Sequence, residues 1–199
     1  MTVGIYYATT TGKTEDVADR LHNFIPSAEA PKDVSDVDDL SEFEGLDGII
    51  CGIPTWNTGA DEERSGTAWD SILEDIGALS LSGKKVAIFG LGDSSTYTEN
   101  YCDAMEELHS YFTKAGAEMV GYVDKSSYTF DESKSVIGES FCGLPLDEDS
   151  ESDLTDSRLE TWASQLKGEM PSLAKAFSDI ISQNCNICSF TICFFYISN

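Results

Sequence analysis

Positive charge is scarce in this sequence: 12 Lys and Arg stand against 36 Asp and Glu in 199 residues, a net charge of -24. Such a surface repels polyanions, so no nucleic acid is expected as a partner, and a protein partner is expected to be basic. Long apolar runs are missing as well. None approaches the roughly 20 residues that a membrane-spanning helix requires, so no membrane insertion is expected. Val3-Gly4-Ile5-Tyr6-Tyr7 follows Met1 almost at once, leaving no charged n-region, apolar h-region or Arg-rich transit stretch. Any targeting segment is expected to be absent or already removed. The six cysteines lack a regular framework, with Cys51 in an apolar run and Cys102 and Cys142 isolated, which points to a reducing compartment rather than a disulfide scaffold.

What remains is ordinary for a folded domain: 41% hydrophobic and 24% charged residues, in a length that fits one domain. Apolar runs bounded by turn residues alternate with amphipathic stretches, the pattern of an α/β protein with a doubly wound parallel sheet and helices on both faces. Strands are expected at Val3 to Tyr7, near Ala28 to Ala30, at Gly48 to Ile53, at Lys85 to Phe89 and at Glu118 to Tyr122. Helices are marked by Val17, Ala18, Leu21, Phe24 and Ile25, by Trp69, Ile72, Leu73 and Ile76, by Met105, Leu108, Tyr111 and Phe112, and by Leu159, Trp162, Ala163 and Leu166. Thr155 is read as the N-cap of the last helix. The stretch from Asp124 to Gly143 is polar and broken, and Leu144-Pro145-Leu146 resumes an extended apolar character, as if an insertion interrupted the last strand.

The domain is expected over residues 1–175, with 176–199 a Cys-containing apolar tail outside the fold; from Ile180 onward it has no charged residue. Cys185-Asn186-Ile187-Cys188 has zinc-knuckle spacing, but no second pair or His follows, so no metal site is expected.

A doubly wound sheet binds ligands at the carboxyl ends of its strands, which directs attention to three loops. After the first strand, Thr9-Thr10-Thr11-Gly12-Lys13-Thr14 gathers hydroxyls, a permissive glycine and the amides of a helix start. This suits a phosphate, although a Thr-rich capped helix start would read the same way. The triphosphatase motif G-x-x-x-x-G-K-[ST] fails, because Tyr7 stands where its first glycine belongs. The dinucleotide fingerprint fails too, since Gly90-Leu91-Gly92 leads to Asp93-Ser94-Ser95. After the third strand, Pro54-Thr55-Trp56-Asn57-Thr58-Gly59 sets a large aromatic in a polar loop, and after the fourth, Leu91-Gly92-Asp93 leads to Tyr97 and Asn100. Two aromatics beside a phosphate site favour a planar ring held between them.

These motifs, with Gly143-Leu144-Pro145-Leu146-Asp147-Glu148-Asp149, resemble those of flavodoxins of the long-chain type over roughly residues 1 to 175. The resemblance implies a five-stranded flavodoxin-like sheet whose last strand is interrupted, and FMN as cofactor. It places Thr9, Thr10, Thr11, Gly12, Lys13 and Thr14 on the phosphate and Trp56 and Tyr97 on the ring faces. Pro54, Thr55, Asn57, Thr58, Gly59, Leu91, Gly92 and Asp93 fall at the ring's polar edge, with Asn100, Cys102 and Asp149 nearby. The implied role is a low-potential, monomeric electron carrier, not an enzyme, that works a semiquinone/hydroquinone couple and substitutes for ferredoxin. Its implied partners are ferredoxin-NADP reductase and, in a photosynthetic host, photosystem I. A cytoplasmic location follows, or a plastid stroma if a transit peptide is missing from this chain. The alternative is a flavin-dependent NAD(P)H:quinone-type reductase on the same fold.

Overall fold

In the computed structural model, which describes residues 2–55 and 64–174, three apolar strands form the middle of one sheet. β1 (Val3–Tyr7) pairs in parallel with β3 (Gly48–Ile53), Val3 opposite Gly48 and Tyr7 opposite Gly52, and β3 pairs in parallel with β4 (Lys85–Leu91). β1 and β3 are buried at every position and β4 at all but its first residue, which is why they read as near-continuous hydrophobic runs. β2 (Lys32–Asp33) lies outside β1, and β5 (Glu118–Val120) outside β4, giving the order β2-β1-β3-β4-β5.

Alternation of side chains along these strands divides the interior in two. Val3, Ile5, Tyr7, Ile50, Ala87, Phe89 and Leu91 face α1 (Lys13–Phe24) and α5 (Thr155–Glu169), meeting Val17, Leu21, Leu159, Trp162 and Leu166. Tyr6, Ile49, Cys51, Ile53, Val86 and Ile88 face α3 (Trp69–Ile76) and α4 (Ala104–Lys114), meeting Trp69, Leu73, Ile76, Met105, Leu108 and Phe112. Phe89 fits its face because Gly52 opposite has no side chain; a Cβ there would stand 2.2 Å from the Phe89 ring. The two short helices, α2 (Glu42–Gly45) and α6 (Pro171–Ala174), contribute Phe43 and Leu173 to these cores.

β4 takes two partners in succession along one edge. Lys85, Val86 and Ala87 face Glu118, Met119 and Val120 of β5, and Phe89, Gly90 and Leu91 face Leu144, Pro145 and Leu146 of β9 (Leu144–Leu146). Between them the chain leaves the sheet at Gly121, whose φ of 78 is left-handed. It then forms a small antiparallel sheet from β6 (Val123–Asp124), β7 (Val136–Ile137) and β8 (Ser140–Phe141). Phe141 sits at the centre of its aromatic packing, with ring centroids 5.0 Å from Phe130, 5.3 Å from Tyr128 and 6.0 Å from Tyr101. Ser133 Oγ donates to the Tyr101 carbonyl at 2.6 Å and Ser135 Oγ to that of Cys102 at 2.7 Å, so the excursion is stitched to the chain following the β4 loop.

Several boundaries differ from the sequence reading. The second strand lies at Lys32–Asp33 rather than at Ala28 to Ala30: Ala28 turns back on α1, its amide bonded to the Ile25 carbonyl at 2.9 Å, before the chain reaches Tyr6 and Tyr7. β5 stops at Val120, because the left-handed Gly121 ends the extended run. Thr155 is not a cap but the first residue of α5, preceded by a 3-10 turn over Ser152–Leu154. The zinc-knuckle spacing at Cys185 and Cys188 lies outside the described residues.

Candidate functional site

The carboxyl ends of β1, β3, β4 and β9 open onto one cavity of about 520 Å³. Thr10, Thr11, Lys13 and Thr14 form its first wall, Pro54 and Thr55 its second, and Leu91, Gly92, Asp93 and Tyr97 its third. Ser65, Gly66, Glu148 and Asp149 complete the lining. Most of the sequence-predicted residues are therefore brought together; Trp56, Asn57, Thr58 and Gly59 lie outside the described residues.

The first wall is built by a turn that Gly12 makes possible. Its φ of 85 is left-handed, it stands as the residue before α1, and a Cβ placed on it would meet nothing within 4 Å. Thr9 does not line the cavity; its Oγ1 accepts the Gly12 amide at 2.9 Å and braces the turn. Thr14 is 1% exposed and its Oγ1 has no hydrogen-bond partner. A buried hydroxyl without a partner is costly, and this one belongs to the first turn of α1, where the helix dipole favours an anion. Lys13 Nζ bonds Asp149 Oδ1 across the cavity, so its charge is matched by the opposite wall.

The third wall is shaped by carboxylates. Asp93 Oδ1 accepts the amides of Ser95 at 3.0 Å and Thr96 at 2.8 Å and the Ser95 hydroxyl at 2.8 Å. Burial opposes its ionisation, but the bonds from Thr96 and Ser95 prevail and lower its pKa to about 2. The Asp93 carbonyl in turn takes the Tyr97 amide at 3.0 Å, and Tyr97, 43% exposed, projects at the mouth. Asp147 behaves alike: burial would raise its pKa, but hydrogen bonds from Ser150, Ser94 and Asp149 lower it.

Two predicted residues lie elsewhere. Asn100 donates to Asp103 Oδ2 at 3.2 Å and lines a separate cavity with Lys125, Phe130 and Lys134. Cys102 is fully buried at a φ of 55, its Sγ 3.6 Å from the Gly90 carbonyl, and burial pushes its thiol up towards the neutral form. Three lining residues escaped the sequence reading. Ser65 and Gly66 both donate to the Asp70 carboxylate at the start of α3, at 2.6 and 2.8 Å, and Glu148 is held by Arg20 at 3.1 Å. A Ser-Gly pair ahead of a helix is a capping pattern, and nothing local distinguishes it as a cavity wall.

This geometry has relatives. The family model described as Flavodoxin matches residues 5–162. A flavodoxin of Synechococcus elongatus is 38% identical over 169 residues, 84% of this chain and 96% of that one. Flavodoxin 2 of Escherichia coli is 36% identical over 173 residues, 85% and 97%. Among solved structures, Fusobacterium nucleatum flavodoxin bound to flavin mononucleotide superimposes with a TM-score of 0.77 at 28% identity, covering 85% of this chain and 98% of that one. A parallel sheet in the order β2-β1-β3-β4-β5, a left-handed glycine turn after β1 and a match over residues 5–162 place the chain in the flavodoxin family.

Proposed function

We propose that this flavodoxin holds FMN in the cavity at the strand ends and works as a low-potential carrier of single electrons, not as an enzyme. The observation that carries this reading is the Thr14 hydroxyl, buried and unpartnered at the start of α1. It fits a phosphate oxygen, as do the amides and hydroxyls of Thr10 and Thr11 on the same wall. When bound, FMN supplies a ring that takes up and releases electrons one at a time. The protein's own residues do the rest. Thr10 to Thr14 would anchor the phosphate, with Thr9 bracing the turn. Thr55, Leu91, Gly92 and Asp93 would lie at the ring edge and Tyr97 over its outer face. By sequence, Pro54 and Trp56 to Gly59 belong to the same assignment, and Asp149 to the wall between the two ends.

Acidity does functional work in this reading. Asp93, Glu148 and Asp149 line the cavity, with Asp147 buried behind them, in a chain of net charge -24, so added negative charge on a bound ring would be disfavoured and the potential for adding the last electron would be lowered. The same charge steers the carrier to basic redox partners, of which a ferredoxin-NADP reductase and, in a photosynthetic host, photosystem I are the proposed ones. Among the described residues no helix is long and apolar enough to cross a membrane. Free, buried Cys51, Cys102 and Cys142 fit a reducing compartment, proposed as the cytoplasm or a plastid stroma. The folded unit is proposed to end near residue 175, since Leu173 is still buried and its carbonyl accepts Ser27 Oγ at 2.8 Å.

The test is electron delivery. Purified protein should carry flavin absorbance and pass electrons from a ferredoxin-NADP reductase to cytochrome c, more slowly as ionic strength rises beyond about 0.15 M, where screening acts within roughly 8 Å. Oxidation of NADPH by the protein alone would instead favour the reductase reading, which similarity to the flavodoxins of Synechococcus elongatus and Escherichia coli does not favour.

A further inference from the structure

One carboxylate without an assigned role occupies the seam between the cavity walls. Asp147 is fully buried and accepts four hydrogen bonds, two on each oxygen. Oδ2 takes the Ser94 amide at 2.9 Å and the Ser94 hydroxyl at 2.8 Å. Oδ1 takes the amides of Asp149 at 2.9 Å and Ser150 at 2.7 Å. One oxygen thus holds the loop that follows β4 and the other the loop that follows β9. The backbone bond from Gly92 to the Leu146 carbonyl, at 2.9 Å, and the Ser95 to Ser150 hydroxyl contact, at 2.6 Å, lie on the same seam.

We propose that Asp147 is a positioning residue that fixes the Asp93 to Tyr97 loop against the cavity, so that the ring-covering wall stands preformed before the cofactor arrives. The inference rests on the FMN reading above. Its physical basis is that both lone-pair sets of the carboxylate are engaged, which only the ionised acid allows. Asp147→Asn conserves shape but has one oxygen: at the Oδ1 position its NH2 group would face two backbone N–H donors, and at the Oδ2 position it would still face the Ser94 N–H, so one loop is held more weakly however the amide sits. Preorganisation of this kind lowers the ordering cost of binding, so its loss appears in affinity. The effect should concentrate on the ring end, because the turn of the opposite wall has a brace of its own that Asp147 does not touch, Thr9 on Gly12.

The experiment titrates cofactor-free full-length protein with FMN and, separately, with inorganic phosphate, for wild type, D147N and S94A, and records the visible spectrum of bound FMN. The expected result is an FMN dissociation constant raised about tenfold or more in D147N and by a smaller factor in S94A. Phosphate affinity should stay unchanged and the flavin bands should shift. In a Tyr97→Ala background the D147N effect should shrink, since the loop then has no ring to place. Should D147N fail to fold, S94A, which removes one donor of the four, carries the same comparison. FMN affinity and spectrum unchanged in a folded variant would overturn the proposal, as would phosphate weakened by the same factor as FMN, which would mark a general loosening. Failure of the wild type to bind FMN would overturn the functional reading instead.

Discussion

Replacing the Thr14 hydroxyl should move cofactor affinity and cofactor-free stability in opposite directions. Thr14→Val exchanges a buried hydroxyl for a methyl group at almost constant volume, and the two residues have similar helix propensities. In the free protein Thr14 is 1% exposed and its hydroxyl is buried and unpartnered, a state that costs about 1–3 kcal/mol. The valine relieves it, so the cofactor-free protein should be as stable as wild type or more stable by up to about 2 kcal/mol. In the complex the same hydroxyl would donate to a phosphate oxygen, a charge-assisted bond worth about 1.5–3 kcal/mol, so the FMN dissociation constant should rise by roughly 10- to 150-fold. Riboflavin, which lacks the phosphate, should bind both proteins alike. Titration calorimetry with FMN and riboflavin, paired with urea unfolding of the cofactor-free proteins, reads all three quantities. A loss of stability together with equal losses for FMN and riboflavin would refute the argument, because it would make Thr14 a packing residue. An FMN affinity close to wild type would refute it as well.

Two further perturbations test the frame around that site. Asp93 is held ionised down to about pH 2, below the ordinary carboxylate range near 4, so its contribution to stability is complete above that range and fades as the pH falls through it towards 2. Urea unfolding of the cofactor-free protein between pH 2 and 6 should show that loss, and Asp93→Asn should flatten it. Gly143→Ala places a Cβ 2.2 Å from the Ile88 carbonyl oxygen, a backbone atom of β4 that cannot swing aside. A destabilisation of about 2–4 kcal/mol is expected by thermal or urea unfolding; a variant as stable as wild type would show that β9 can shift along the sheet edge.

The sequence carried most of this architecture because the central strands are buried on both faces and their apolar runs have no competing period. Gly48–Ile53 reads the same in sequence and structure. Where partners far along the chain decide, local reading fell short. β4 continues two residues past Phe89 because Pro145 and Leu146 arrive beside Gly90 and Leu91. β2 was read too early because Lys32–Asp33 has no apolar signature, only an edge to pair with. The site shows the same division. Thr10 to Thr14 and Asp93 to Tyr97 are each contiguous and chemically distinctive. Ser65, Gly66 and Glu148 reach the cavity only through the packing of α3 and the tether from Arg20, and Cys102 is drawn beneath it by the left-handed turn at its own backbone.

The two-partner edge of β4 has a consequence for how the chain tolerates length. Val120 pairs with Ala87 and Leu144 with Phe89, so the ends of the 121–143 excursion sit on either side of the single residue Ile88. For an excursion whose ends already meet, closure entropy grows only with the logarithm of its length, and doubling it would cost about 0.6 kcal/mol. This makes the sheet edge a socket that can accept a longer or foreign segment while the register of β4 stays fixed. The limit lies within the excursion, where Phe130 and Phe141 cover Tyr101. Any graft that omits those two rings would expose the Tyr101 side chain and uncouple the β4 loop from the support behind it.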